Sequence, residues 1–411
     1  MVVFLAVLSL PVRVLIAGQY NENPSPANLA ARRLFRERAY GLFIHYGLFS
    51  VSGVGECQCR QDCIPPEKYI AERLPFFKPK ADCVDEWIRL AKDAGMNYIV
   101  LTTRHLEGYF LGDRFLKEYA DKVRAAGLGV GFYFSVPDYQ DPGYGAGPRE
   151  DRAGWDRYVA KTKALLLHLM KDFGRIDYLF YDGCPPPSEW NVREMNAEIR
   201  RLQPQILMTR CGEDEDFLSC EQHSGGGHEL WESCYTLNNT WGYGKYDTQW
   251  KEPWKLAWMF FTMRHNGGNL LLNVGPMADG TVQEEAASRL HALGKWVKAN
   301  AAAIYDVTPH PFDYKPQELI AGDAKDPTVV YLLPSRVWSR PEKVVRTIGN
   351  KVLSVTRVDN GKAFDFVQDE KEHLLVIRNP DPLLDGEMPY ILKLKLDGKP
   401  FGIRNRQIPQ F

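Results

Sequence analysis

The stretch Gly174-Arg-Ile-Asp-Tyr-Leu-Phe-Tyr-Asp-Gly183 decides how this chain is read. Ile176 to Tyr181 is a short, largely apolar run set between glycines, the pattern of a strand buried on both faces. It delivers one carboxylate, Asp182, and then Gly183. A buried strand with an acid at its C-terminal tip is how α/β barrels build active sites. The competing reading makes Asp182 a cap of the next turn or helix. The residues on either side decide between them.

Segments of the same kind recur in both directions. Strand-like runs lie at Gly41–Gly47, Tyr98–Thr103, Val130–Ser135, Ile206–Thr209, Leu230–Ser233 and Asn269–Val274. Between them the spacing predicts helices over Asp85–Ala94 and Phe115–Ala126, each closed by a glycine, and over Trp155–Asp172, Glu194–Leu202, Lys255–Arg264 and Glu284–Ala303. Near-continuous apolar strands alternating with helices mean a parallel sheet covered by helices. The span from Tyr40 to Tyr305 suits a (β/α)8 barrel of roughly 250 residues. The irregular stretch from Cys211 to His228 predicts a distorted, TIM-like barrel lacking some helices.

After Val307 the period changes. Short strands are expected at Thr328–Leu333, Lys351–Thr356, Glu372–Ile377 and Tyr390–Lys395, separated by Asp-Asn-Gly, Asn-Pro-Asp-Pro and Asp-Gly-Lys-Pro turns. The expected organisation is a possible signal peptide or N-terminal extension over 1–20, a catalytic barrel over 21–306, and an antiparallel β-sandwich over 307–411. The run from Met1 to Ala17 is apolar but broken by Pro11 and Arg13, and too short to span a bilayer. No Lys or Arg precedes its apolar core, which a standard leader would carry. Secreted, periplasmic and cytoplasmic placements all stay open.

A formal net charge of −1 and the lack of a basic run argue against nucleic-acid binding. No membrane partner is expected, and oligomeric state is not encoded. The eight cysteines contain no CxxC pair, and Cys57-x-Cys59-x3-Cys63 is too tight for a structural zinc site. Cys211, Cys220, His223, His228 and Cys234 share one region, which leaves a metal-dependent hydrolase as an outside reading. Free thiols, or disulfides in a secreted protein, are the expected state. No metal and no cofactor are expected.

If the barrel is right, polar residues at strand C-termini face one bowl. Those positions carry His45, His105 with Glu107, Tyr133 with Asp138, Asp182, Arg210, Glu232 and Asn273, with Glu56 and Glu221 in the loops above. Singly, each has an ordinary structural role open to it. Together with abundant aromatics they suggest glycoside hydrolysis, which needs two carboxyl groups.

The chain at this point resembles glycoside hydrolase family 29, the α-L-fucosidases, over about Leu34 to Tyr305. Gly41-Leu-Phe-Ile-His-Tyr-Gly47 resembles the family's first strand. Ala91 to Thr102, leading to His105, resembles the second, and Leu179-Phe-Tyr-Asp-Gly183 the strand carrying the nucleophile. The most specific matches are Trp231-Glu-Ser-Cys234 followed by Asn239-Thr-Trp-Gly-Tyr243, and Gly267 to Pro276 with Asp279-Gly280. The resemblance implies a retaining exo-glycosidase acting on fucosylated oligosaccharides or glycoconjugates, with Asp182 as nucleophile. Glu221 is the first choice of acid/base and Glu232 the second. His45, Glu56, His105, Tyr133 and Arg210 match positions that bind the sugar or hold the carboxylates. Trp241 is an aromatic wall or a core residue. Three departures stand out. The family's His-His-Asp-Gly is here His105-Leu106-Glu107-Gly108, its Glu-Trp pair is Glu56-Cys57, and the segment from Leu111 to Lys117 is short. An altered glycone preference, or a carbohydrate-binding protein with weak or no catalysis, would follow from these.

Overall fold

In the computed structural model, residues 19–225, 228–309, 311–312, 318–334, 338–369, 374–379 and 381–402 are described. The N-terminal apolar run lies outside them. Eight strands form one parallel sheet. They are β1 (Tyr40–Ile44), β2 (Tyr98–Arg104), β3 (Gly129–Ser135), β4 (Tyr178–Asp182), β5 (Leu207–Thr209), β6 (Leu218–Glu221), β7 (Trp231–Thr236) and β8 (Asn269–Val274). The order β5-β4-β3-β2-β1-β8-β7-β6 is that of a barrel closed everywhere except between β5 and β6. At that seam three hydrogen bonds, two of them through side chains, replace the ladder. The Asp216 amide donates to Met208 O (2.7 Å), the Met208 amide to Asp216 Oδ2 (2.9 Å), and Thr209 Oγ1 to Phe217 O (2.9 Å).

The irregular stretch after Cys211 therefore hides a strand, β6, whose four residues were too few to show a period. No helix separates β5 from β6, or β6 from β7, among the described residues, as a distorted barrel requires. The expected strand Leu230–Ser233 is instead β7, running three residues further. The expected Glu284–Ala303 helix ends at Ala299 and continues as a single 3-10 turn over Ala301–Ala303.

Helices pack outside the strands with their apolar stripes inward. In Cys83–Ala94, Val84, Trp87, Ala91 and Ala94 are buried at i, i+3, i+7 and i+10, and Gly95 closes the helix in the left-handed region (φ 83°). Helix α1 (Pro26–Arg38), unforeseen in the sequence, plugs the N-terminal end of the barrel. Its Phe35 is fully buried, with ring centroids 4.7 Å from Phe217, 5.4 Å from Tyr178 and 5.8 Å from Tyr98. With that end sealed, only the C-terminal end of the barrel can open as a site.

The C-terminal part is antiparallel. One five-stranded sheet contains β9 (Val307–Thr308), β10 (Leu319–Asp323), β11 (Val329–Leu333), β13 (Val352–Arg357) and β16 (Leu392–Leu396). A three-stranded sheet contains β12 (Glu342–Val345), β14 (Phe366–Asp369) and β15 (Leu374–Arg378). Glu372 and His373, expected to begin a strand, lie outside the described residues. The two faces of β11 do different work. Val330 and Leu332 pack into the core between the sheets, whereas Val329, Tyr331 and Leu333 join the core shared with the barrel. A strand covered on both faces must be apolar at every position, and this one is. The formal glycosylation sequon at Asn238 falls on a buried side chain whose Nδ2 lies 3.4 Å from Thr240 Oγ1.

Candidate active site

Residues from five strands (β1, β3, β4, β6 and β7) and from the segments after β1, β2, β5 and β7 enclose a cavity of about 230 Å³ at the open end of the barrel. Its walls include His45, Glu56, His105, Tyr133, Asp182, Arg210, Glu221 and Trp241. Those are eight of the nine residues to which the resemblance gave a catalytic or sugar-binding role. This volume lies below the ~300–1,000 Å³ typical of drug-sized ligands and suits a single sugar ring.

Asp182 is the last residue of β4. Tyr133 Oη donates to its Oδ2 (2.7 Å) and Arg210 Nη2 donates to its Oδ1 (3.1 Å). The other arm of the same guanidinium, Nη1, reaches Glu221 Oε2 at 3.1 Å. One planar fork thus holds both carboxylates, which is the geometry Arg provides and Lys does not. Burial works against the Arg210 charge, but Asp182 and Glu221 outweigh it and hold its pKa above the ordinary value. Arg210 follows β5 in a left-handed conformation (φ 61°), a strained position for a side chain with a Cβ. The turn is held by Glu215, whose Oε1 accepts the Gly212 amide at 2.6 Å, and by backbone hydrogen bonds from Glu215 and Asn21 that tie it to the segment preceding α1.

The two histidines are tuned in opposite directions. Asn273 gives its Nδ2 to Trp241 O (2.6 Å), so its Oδ1 is the acceptor for His45 Nδ1 at 2.6 Å. This leaves His45 Nε2 unprotonated. Burial, reinforced by His105, lowers His45 to about 4, so the ring is neutral at physiological pH. His105 faces the same burial, yet Glu107, Glu56 and Asp182 raise its pKa. The His105–Glu107 contact is an ion pair at 3.6 Å, too long for a hydrogen bond. The cavity therefore sets a neutral acceptor, His45, beside a second imidazole whose protonated form the surrounding carboxylates favour, a combination suited to reading sugar hydroxyls. Glu56 accepts the Trp241 and Gly242 amides at 3.1 and 2.8 Å. Although burial opposes its charge, the Gly242 hydrogen bond and the neighbouring His105 keep it below the usual carboxylate value.

Glu232 lies elsewhere. The expected strand end at Ser233 would have put it at the rim. With β7 running to Thr236, it is the second residue of the strand, level with Asn269 at the start of β8. There it is 2% exposed, accepts from Tyr98 Oη (2.8 Å) and from Ser219 Oγ (3.4 Å), and does not line the cavity. Burial lifts its carboxyl from 4.5 to about 7. The folded state then keeps a proton that the unfolded chain releases above its ordinary value. That stabilisation is complete below about pH 4.5 and is lost as the pH climbs through about 7, at a cost of roughly 3 kcal/mol. Glu232→Gln, which keeps the uncharged shape, is expected to gain thermal stability relative to the wild type as pH rises across this window. Melting curves that stay parallel would show that Glu232 titrates normally.

Asp138 also leaves the bowl, since its carboxylate pairs with Arg104 and Lys161, both at 3.2 Å, behind the strand ends. Cavity residues not foreseen are Phe43, Phe180, Cys234 and Arg60. Phe43 and Phe180 stand two positions before His45 and Asp182, so strand periodicity already placed them on the inward face. Leu106 and Cys57, two of the departures noted in the sequence, both line the cavity. All eight cysteines are free, and among the described residues no three His, Cys, Asp or Glu side chains converge as a metal site.

A family model described as Alpha-L-fucosidase matches residues 13–302. Human plasma alpha-L-fucosidase is 26% identical over 335 residues, covering 69% of this chain and 72% of the relative. Alpha-L-fucosidase isoenzyme 1 from Paenibacillus thiaminolyticus superposes with a TM-score of 0.81 at 26% identity, over 90% of this chain and all of that one. An alpha-L-fucosidase from Bacteroides thetaiotaomicron, solved as a trapped covalent intermediate with 2-fluoro-fucosyl fluoride, shares the fold at a TM-score of 0.79 and 22% identity, over 93% of this chain and 99% of that one.

Proposed function

The chain belongs to the alpha-L-fucosidase family and is a glycosidase, and we propose that it releases terminal α-L-fucose from fucosylated glycans by a retaining double displacement. One observation carries this reading: Asp182 and Glu221 are the two carboxylates of the cavity that share a single guanidinium, Arg210. In the first step an Asp182 oxygen attacks the anomeric carbon. The bond from that carbon to the aglycone oxygen breaks, and the Glu221 carboxyl gives that oxygen its proton. The sugar is now an ester of Asp182. In the second step the Glu221 carboxylate takes a proton from water, the water oxygen attacks the anomeric carbon, and Asp182 leaves as carboxylate.

Arg210 gives this cycle an economy of charge. As the Asp182 carboxylate is consumed in forming the ester, Glu221 gives up its proton. Once Asp182 is esterified, Glu221 is the anion. At each stage one cation faces one negative charge, and the fork needs no movement to change partners. Tyr133 orients Asp182, and its own ionisation is pushed far out of range by burial and by Asp182. His45, His105 and Glu56 address the sugar hydroxyls.

Leu106 and Cys57 support a second outcome within the same chemistry. Each removes a polar or aromatic contact from the wall, and a pocket that lacks one hydrogen-bond partner discriminates differently between sugars. Wild-type hydrolysis of aryl glycosides, with the anomeric configuration of the first-formed sugar followed by NMR, tests both. Cleavage of 4-nitrophenyl α-L-fucoside releasing α-L-fucose first is the expected result. Release of the β-anomer would overturn the double displacement. Cleavage of another glycoside alone would assign a different glycone, and no cleavage would leave a carbohydrate-binding protein.

A further inference from the structure

A second concavity opens beside the cavity and has no part in the chemistry above. It measures about 530 Å³ and is lined by Tyr139, Tyr144, Gly145, Trp155, Gly183 and Pro185. Three of those six residues are aromatic. Tyr139 and Tyr144 stack at 6.0 Å with an interplanar angle of 30°, and Tyr144 and Trp155 stack at 6.3 Å and 25°. The three rings make a nearly parallel series. Trp155 is buried and its Nε1 donates to Glu189 O at 2.6 Å, so it forms the base, while Tyr139 and Tyr144 are only partly buried.

Three links set the cleft beside the catalytic cavity. Gly183 follows Asp182 directly, and its left-handed backbone (φ 66°) lies so close to Pro137 that a Cβ would stand 2.5 Å from Pro137 Cγ. The Tyr139 amide donates to the carbonyl of Leu106, a cavity wall residue, at 3.1 Å. Arg60 lines the cavity and lies within electrostatic reach of Tyr144. Burial raises the Tyr144 phenol, Tyr139 adds to the rise and Arg60 opposes it. Tyr144 stands in the first turn of the segment Pro142–Glu150, which kinks at Gly147. The helix Pro142–Glu150 crosses the helix Arg152–Asp172 where Gly143 meets Gly154, so closely that a Cβ on Gly143 would lie 2.2 Å from Gly154 O.

We propose that this cleft binds the aglycone side of the substrate: the sugar residues that remain after fucose leaves, with Tyr139 and Tyr144 stacking on the apolar face of a pyranose and Arg60 at the junction. A small cavity for one sugar, opening onto a wider aromatic trough, is the shape an exo-acting enzyme needs for an oligosaccharide. This inference rests on the fucosidase reading and concerns what that enzyme prefers.

The test compares kcat/KM for α-1,2-, α-1,3- and α-1,4-linked fucosyl trisaccharides with that for 4-nitrophenyl α-L-fucoside, in wild type, Tyr139→Ala and Tyr144→Ala. For the trisaccharide the wild type favours, the ratio to the aryl fucoside is expected to fall about tenfold in each variant, mainly through KM. Both values come from one preparation, so partial unfolding cancels. A ratio unchanged within about twofold in both variants overturns the proposal. If the wild type cleaves none of these glycosides, the fucosidase reading fails by itself. Calorimetric binding of the trisaccharides then judges the cleft: weaker binding by Tyr144→Ala than by wild type upholds it, and equal binding overturns it.

Discussion

Asp182→Asn is expected to reduce kcat on 4-nitrophenyl α-L-fucoside by about four orders of magnitude or more, while α-L-fucose still binds. The amide has nearly the shape of the carboxylate and can still accept from Tyr133, whose Oη lies 2.7 Å from Oδ2 in the wild type. What is lost is the anion. An amide oxygen does not displace an aryl oxide at an acetal carbon, and Arg210 is left with Glu221 as its only charged partner in the cavity. Binding of fucose by calorimetry separates this loss from misfolding. A variant that keeps a tenth of the wild-type rate would remove Asp182 from the nucleophile's role.

Glu221→Ala should reduce hydrolysis of fucosyl trisaccharides by about 10²- to 10⁴-fold. The effect on the glycosylation step with 4-nitrophenyl α-L-fucoside should be smaller, because that leaving group needs little protonation. Water without a base then attacks the glycosyl-enzyme slowly, and azide, which needs no base, should restore turnover. The stereochemistry of the product makes the result decisive. Azide attacking a β-linked ester of Asp182 yields α-L-fucosyl azide, whereas rescue of a variant lacking the nucleophile would yield the β-anomer. Glu232→Ala should show no azide rescue, since Glu232 lies near the sealed end of the barrel against Tyr98. Rescue of the Glu232 variant in place of Glu221 would reverse the assignment.

The choice between those two glutamates shows where residue patterns stop being informative. Both sit in short strands, each within two residues of a cysteine, and both within reach of a bowl drawn from the sequence. What separates them is height along the barrel axis. Glu221 ends β6, and its paired neighbour in β7 is Cys234, two residues beyond Glu232. Two residues of strand amount to roughly 6–7 Å, the difference between the cavity wall and the floor. A three-residue misjudgement of where β7 ends was enough to move Glu232 to the rim. Strand ends are poorly marked here because Cys234, Tyr235 and Thr236 suit both a strand and a loop.

The alternation of apolar runs with helical periods required a parallel sheet under helices, because only a strand covered on both faces can be apolar throughout. Within that sheet, Asp182 at the tip of Tyr178–Asp182, His45 after Phe43 and Arg210 after Thr209 were assigned to one end by chain direction alone, as every strand runs the same way. Chain order determined that much. Distances between those residues depend on contacts distant in sequence: an Arg210 fork spanning Asp182 and Glu221, an Asn273 that sets the His45 tautomer through Trp241, and an aromatic series built from the segment after β3 and two helices that touch at Gly143 and Gly154. Local pattern reports which face a side chain takes, since that follows from the period of one element. Charge state, partner and height in the barrel follow from how separate elements close on one another, and those were decided only when the sheet curled and its cavity took shape.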